Sequence, residues 1–89
     1  MGRRSIELMN RLMQISNHMD IALDAKIVRY CDETEVVLSM LNNPRKALED
    51  SRLYIVHNVS FIDGVSVFWG HYDLTFEEAV DSFNYKASK

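Results

Sequence analysis

The feature that most constrains the fold is a pair of apolar runs separated by Asp63-Gly64. Both runs are rich in β-branched and aromatic residues, which favour strands. Asp-Gly suits the centre of a type I′ turn, because both central residues of that turn need positive φ. The sequence therefore predicts a β-hairpin over residues 53–61 and 65–73, with a loop formed by Asp63 and Gly64 alone.

The segment before the hairpin predicts a helix and a further strand. Apolar residues recur at helical spacing from residue 5 to about residue 18. The periodicity continues to Asp24, whereas Ser-Asn-His at 16–18 are weak helix formers and favour a stop or a kink. Residues 26–31 are rich in β-branched side chains and fit a third strand. The pattern leaves helix and strand open over residues 19–31.

Two capping signals predict helices between that strand and the hairpin. Asp32, followed by Glu35 three positions later, resembles a capping box and predicts a helix through the apolar residues of 36–41. Cys31 occupies the position of a hydrophobic staple before that helix. Pro44 suits the first position of a short helix over 44–50.

The last helix has the clearest start signal. Thr75 and Glu78 form a capping box, and acidic residues fill the first turn, where the helix dipole favours them. The tail from Tyr85 is expected to fray. The predicted fold class is α+β: a small antiparallel sheet, with the hairpin and at most a third strand at 26–31, packed mainly on one face against three to four helices. Residues 1–89 are expected to form a single domain.

Composition narrows the class of protein. The one cysteine, Cys31, excludes an internal disulfide and fits a reducing compartment. No apolar run is long enough to span a bilayer, and no signal peptide is recognisable, so we expect a cytoplasmic protein. A net charge of −3 disfavours nucleic-acid binding by the whole chain, although the first helix is basic.

The sequence contains no recognisable catalytic or metal-binding motif. His18, His57 and His71 lack the spacing of metal ligands. His71 and Asp73 share a predicted hairpin face and are the one pair that resembles an acid–base site, but adjacent positions on a strand form no pocket. Gly70 is expected opposite His57, where it relieves crowding against the ring or marks a bulge. We therefore expect no enzyme activity, no metal and no cofactor.

The predicted register divides the hairpin into two faces. One face, around Ile55 and His57, is mostly apolar and is expected to pack on helices. The other carries Tyr54, Trp69 and His71 among polar residues and valines. Either a helix covers this second face and buries Trp69 as core, or the face is an exposed aromatic patch that binds a partner. A longer loop would exchange the two faces.

Residues 70–79 resemble segments of small phage proteins. Their sequence is Gly-His-Tyr-Asp-Leu-Thr-Phe-Glu-Glu-Ala. Together with the size and acidic charge of the chain, it resembles the acidic single-domain α+β proteins of bacteriophages and mobile elements, which include the anti-CRISPR inhibitors. The resemblance is one of general type and assigns no site residue. It implies a protein that acts by docking on a larger host protein.

These observations predict a non-enzymatic protein-binding module. Aromatic anchors would supply affinity, and an acidic rim would steer the protein towards a basic surface. If that surface normally holds nucleic acid, the protein would inhibit by mimicry. The alternatives are a nucleic-acid-binding regulator that uses Arg3, Arg4 and Arg11, and a homodimer formed through the hairpin face or the edge strand at Val28. The residues expected to contact the partner are Tyr54, Trp69, His71, Asp73, Glu77 and Glu78.

Overall fold

A computed structural model describes residues 3–43 and 52–88, and in these ranges a four-stranded antiparallel sheet lies between two helices. The strands are ordered in the sheet as they are in the chain. The α+β class with an antiparallel sheet is therefore confirmed. The elements are α1 (Arg3–Leu23), β1 (Ala25–Cys31), β2 (Val36–Leu41), β3 (Tyr54–Ser60), β4 (Ser66–Leu74) and α2 (Phe76–Ala87).

The two helices cover opposite faces of the sheet, because successive side chains of a strand point to opposite sides. The prediction that helices pack mainly on one face is wrong, since the central strands contribute to a core on each side. The core beneath α1 contains Ile15, Met19, Ala25, Val37, Ile55 and Val59. The core beneath α2 contains Val36, Leu38, Val56, Ala79 and Phe83.

The helix predicted over 36–41 is wrong, since these residues form β2. Val36 to Ser39 are at most 1% exposed, because β2 is a central strand covered on both faces. A strand of this kind has no alternation of apolar and polar residues and resembles a short buried helix in sequence. Glu35 adopts a φ of 54° in the preceding turn, so Asp32 caps no helix. The sheet consequently has four strands, where at most three were predicted.

The segments flanking β2 agree better with the sequence. The predicted strand at 26–31 is confirmed as β1, which begins one residue earlier at Ala25. α1 continues without interruption to Leu23, so the continuation to about Asp24 is confirmed and the alternative of a stop or kink at 16–18 is wrong. The helix predicted over 44–50 lies outside the described residues. Ranges 3–43 and 52–88 contain two helices, where three to four were predicted for the whole chain.

The capping box of the last helix is confirmed. The Thr75 hydroxyl accepts a hydrogen bond from the Glu78 backbone N–H at 3.2 Å, and the Glu78 carboxylate accepts one from the Thr75 N–H at 2.9 Å. Both bonds satisfy donors that a helix N-terminus leaves without intrahelical partners. α2 therefore starts directly after β4 and runs back across the sheet. The helix continues to Ala87, beyond the point at which fraying was expected.

The hairpin is confirmed, but the two-residue loop is wrong. The last Cα pair joins Ser60 to Ser66, so residues 61–65 form the loop. Asp63 and Gly64 both adopt positive φ, at 54° and 97°, as the Asp-Gly signal predicts. The longer loop shifts the predicted register by one residue at this end of the hairpin.

Two irregularities in β4 then change the register along the hairpin. One lies between the pairs Asn58–Phe68 and Val56–His71, and the other lies between Val56–His71 and Tyr54–Leu74. In each interval one β4 residue adopts positive φ: Trp69 at 51° and Asp73 at 55°. These are β-bulges, which re-aim side chains on the bulged strand.

Candidate functional site

Trp69 is exposed, although a helix covers the face to which the sequence assigned it. The interpretation that Trp69 is core is wrong, because 75% of the residue is accessible to solvent. α2 packs on this side of β3 and β4, but the bulge takes Trp69 out of the regular alternation. A bulky residue at positive φ is a conformational outlier, and such outliers concentrate at functional sites.

Trp69 lines an open cleft of about 410 Å³. The cleft lies where the turn 32–35, the middle of the hairpin and the last turn of α2 meet. We call it the Trp69 cleft. Its lining residues are Glu33, Thr34, Asn58, Trp69, Tyr85 and Lys86.

The topology brings these elements together. In an antiparallel sheet the turn after β1 and the loop after β3 lie at the same end, and the Val59 N–H donates to the Glu35 carbonyl at 2.8 Å to join them. α2 starts at the opposite end, after β4, so its last turn returns to this end. Tyr85 and Lys86 therefore reach the cleft from a helix, while Trp69 reaches it from a strand.

Lys86 holds the bulge in place. Its ammonium donates to Asn58 Oδ1 at 2.8 Å and to the Trp69 carbonyl at 3.1 Å. An ammonium group has three N–H donors, so one remains for a bound molecule. Phe68 supports the indole from the strand side, with ring centroids 5.0 Å apart in an edge-to-face arrangement. The Trp69 cleft thus presents an exposed aromatic ring, on a backbone that Lys86 holds, beside a hydrogen-bond donor.

The predicted contact residues are divided between the two ends of α2. Tyr54 packs edge-to-face on Phe76 in the first turn, with ring centroids 5.3 Å apart. Trp69 lies at the other end, next to Lys86. His71 lies between them and shares a 2.7 Å hydrogen bond between Nδ1 and Ser82 Oγ. The structure therefore does not bring Tyr54, Trp69 and His71 together into one patch.

The three predicted acidic residues lie near the start of α2. Glu77 and Glu78 occupy its first turn. Arg52 donates to the Asp73 carbonyl at 3.2 Å and forms a 2.8 Å ion pair with Glu78. The Thr75 backbone N–H is the main reason that the pKa of Glu78 lies below its usual value. Glu78 is thus occupied in capping and pairing.

His57 is a buried residue with one hydrogen-bond partner. It is 1% exposed, and its Nε2 lies 2.6 Å from the Tyr72 hydroxyl. Its Nδ1 is buried and has no hydrogen-bond partner among the described residues. Burial lowers the pKa of His57, with smaller contributions from the charges of Lys86 and His18. The expectation that Gly70 relieves crowding against this ring is confirmed, because a Cβ there would lie 2.6 Å from Nε2.

Other candidate groups are occupied by local contacts. Cys31 is half-buried before a turn, so its predicted role in a helix staple is wrong. The nearby Thr34 hydroxyl lowers the pKa of Cys31, although this buried hydroxyl forms no hydrogen bond within the described residues. Within ranges 3–43 and 52–88, no group of three His, Cys, Asp or Glu residues is arranged to hold a metal ion.

One of the three arginines that could bind nucleic acid from the first helix is paired within the protein. Arg11 pairs with Asp32 at 2.9 Å, and its guanidinium lies 4.9 Å from the centre of the Phe61 ring. The structure does not describe the side chains of Arg3 and Arg4. Val28, proposed for edge pairing, lies at an irregularity between Ile27 and Arg29, and irregular edges discourage strand addition.

Sequence reasoning missed Tyr85 and Lys86 because it assigned them to a fraying tail. Tyr85 is 63% exposed and lies away from the buried positions of α2, Ala79 and Phe83. An aromatic residue off the apolar stripe of a helix was the available signal.

Comparison with known proteins gives no relative: the chain matches no family model, no curated protein and no solved structure. None of the helices in the described part of the chain has the length and apolar character needed to cross a membrane.

Proposed function

We propose that this protein is a non-enzymatic protein-binding module that contacts its partner through Trp69 and the cleft beside it. The observation that carries the proposal is the conformation of the only tryptophan in the chain, which is 75% exposed at a φ of 51°. The left-handed conformation costs a residue other than glycine roughly 1–2 kcal/mol. Exposure of a large apolar ring adds no stability to the fold.

Tryptophan is well suited to an interface. It supplies a large rigid surface with one polar group, and it is enriched among the residues that dominate binding energy. Lys86 holds the Trp69 backbone through its carbonyl, and Phe68 contacts the ring edge-to-face, so part of the ordering cost of binding is already met. Trp69 is therefore a preorganised anchor.

The charge of the protein supports a partner with a basic surface. The net charge is −3, and Glu33 lies at the cleft. Complementary charge increases association rates and disfavours wrong partners. A domain of this size that occupies a functional surface of a larger protein acts as an inhibitor, as the resemblance to small phage proteins implies.

The test is a selection of peptides from a random displayed library on three immobilised forms: wild type, Trp69→Asn and Ile62→Ala. Asn tolerates positive φ, so this variant removes the ring without adding backbone strain. Ile62 is 81% exposed in the hairpin loop and does not line the Trp69 cleft, so it is the matched control.

We expect wild type and Ile62→Ala to enrich the same peptides and Trp69→Asn to lose them. Equal enrichment by Trp69→Asn would show that the Trp69 cleft is not the binding site. The absence of enriched peptides on wild type would overturn the proposal that the protein binds a partner through the Trp69 cleft.

A further inference from the structure

We infer that the Trp69 cleft binds an extended, proline-containing segment of its partner in the polyproline II conformation. This inference rests on the proposed function and names the chemistry of the partner. It is carried by the hydrogen-bonding groups of the cleft, by its aromatic surfaces and by the bulged edge of β4.

Three of the six residues that line the cleft carry N–H donors, whereas a carboxylate and two hydroxyls among the others can accept. The Trp69 indole offers one N–H and Lys86 keeps one N–H after its two observed bonds. The Asn58 amide N–H groups also remain, because its oxygen is the atom that accepts from Lys86. A polyproline II segment has no internal hydrogen bonds, and proline has no N–H, so such a segment presents mainly carbonyl acceptors. The donors of the cleft and the acceptors of the segment are complementary.

The aromatic surfaces suit proline rings. Trp69 and Tyr85 are 75% and 63% exposed and line the same cleft from different elements. Proline-rich segments dock in grooves lined by aromatic residues, and their preformed conformation lowers the entropic cost of binding. The neutral proline ring is also compatible with the nearby Lys86 ammonium, which would repel a cationic side chain at the same position.

The β4 edge disfavours the main alternative for an extended peptide, which is addition of a strand to the sheet. β4 is bulged near Trp69 and again near Asp73. Strand addition needs a regular row of unpaired N–H and C=O groups, and bulges interrupt that row. An extended ligand therefore gains more from the cleft than from the edge.

Glu33 predicts the charge of the ligand residue next to the prolines. Its side chain is exposed at the rim of the cleft and belongs to the acidic turn 32–35. A carboxylate there favours a basic residue beside the prolines, and the acidic net charge acts in the same sense. The ligand that fits best is a proline run flanked by arginine.

The test is a titration of Trp69 fluorescence with three blocked peptides: Arg-Pro-Pro-Pro-Pro-Pro, the same peptide with Glu in place of Arg, and the same peptide with Ala in place of every Pro. We expect saturable binding of the first peptide, weaker binding of the second, and at least about tenfold weaker binding of the third. Tyr85→Ala should weaken the first peptide, whereas Ile62→Ala should leave its affinity unchanged.

Equal affinity of the alanine peptide, or the absence of saturable binding by the first peptide at millimolar concentration, would overturn this inference. The library selection separates that outcome from failure of the proposed function. Enriched peptides that depend on Trp69 but lack proline leave the binding module in place and exclude the polyproline ligand.

Discussion

Gly70 lies against the ring of His57, and a Cβ at residue 70 would come within 2.6 Å of the ring nitrogen Nε2. The ring cannot move away easily, because His57 is 1% exposed in the core and its Nε2 contacts the Tyr72 hydroxyl. The absence of a side chain at residue 70 is thus what allows β4 to approach β3 beside the bulge.

Substitution Gly70→Ala should lower the free energy of unfolding by about 1–3 kcal/mol, the usual cost of overpacking. Urea denaturation monitored by circular dichroism measures the change. A Cβ at residue 70 would also lie 2.6 Å from Cε2 of the Tyr72 ring. In a background that lacks both rings, His57→Ala with Tyr72→Ala, the same substitution should therefore cost much less. An equal cost in both backgrounds would show that contact with the two rings is not the reason for glycine at residue 70.

The burial of His57 should make stability depend on pH. Its pKa is lowered in the folded protein, so below the unfolded value of about 6.5 the unfolded chain binds a proton that the folded chain excludes. The free energy of unfolding should therefore be fully retained above that pH and decrease as the pH falls through it. Denaturation of wild type and His57→Gln at a series of pH values measures the effect. A similar slope in both proteins would contradict the assignment to His57.

The capping box at the start of α2 should contribute to stability through the Thr75 hydroxyl. Thr75→Ala removes the acceptor for the Glu78 N–H and should cost about 1 kcal/mol. Thr75→Ser retains a hydroxyl and is the matched control, so its free energy of unfolding should be close to that of wild type. Thermal unfolding compares the two variants. Equal loss in both would assign the effect to the Thr75 methyl group instead of the cap.

Trp69 should be dispensable for folding. Trp69→Asn should change the free energy of unfolding by less than about 1 kcal/mol, because the ring is exposed and Asn tolerates positive φ. Trp69→Val should be less stable than Trp69→Asn, since a β-branched residue is poorly accommodated at that φ. Urea denaturation of both variants measures which of them has the lower free energy of unfolding. A large loss in Trp69→Asn would mean that the ring supports the fold.

The elements that the sequence predicted correctly are those with local chemical signals. Asp63 and Gly64 favour positive φ by themselves, and Thr75 with Glu78 satisfies helix donors within one turn. The signal at Asp32 and Glu35 had the same form but no helix follows, because Val36 to Ser39 fill a central strand. Their burial on both faces depends on two helices that are distant in sequence, and a short apolar run does not reveal that context.

The candidate site was predicted in part. Trp69 was identified from its residue type, and the bulge that Gly70 was expected to mark is confirmed next to it. The sequence did not predict that this bulge exposes Trp69 on a face that a helix covers. Tyr85 and Lys86 join it only because α2 returns across the sheet to the same end. Long-range placement of this kind follows from topology and not from any local pattern.

The most direct test of the central claim is acrylamide quenching of the single tryptophan, with the molar mass measured by light scattering on the same sample. The bulge at residue 69 should give a red-shifted emission and efficient quenching in a monomer, because the indole is 75% exposed and awaits a partner. Addition of the arginine–proline peptide should protect the indole from acrylamide. A blue-shifted, protected tryptophan in the free monomer would contradict the account, since Trp69 would then belong to the core.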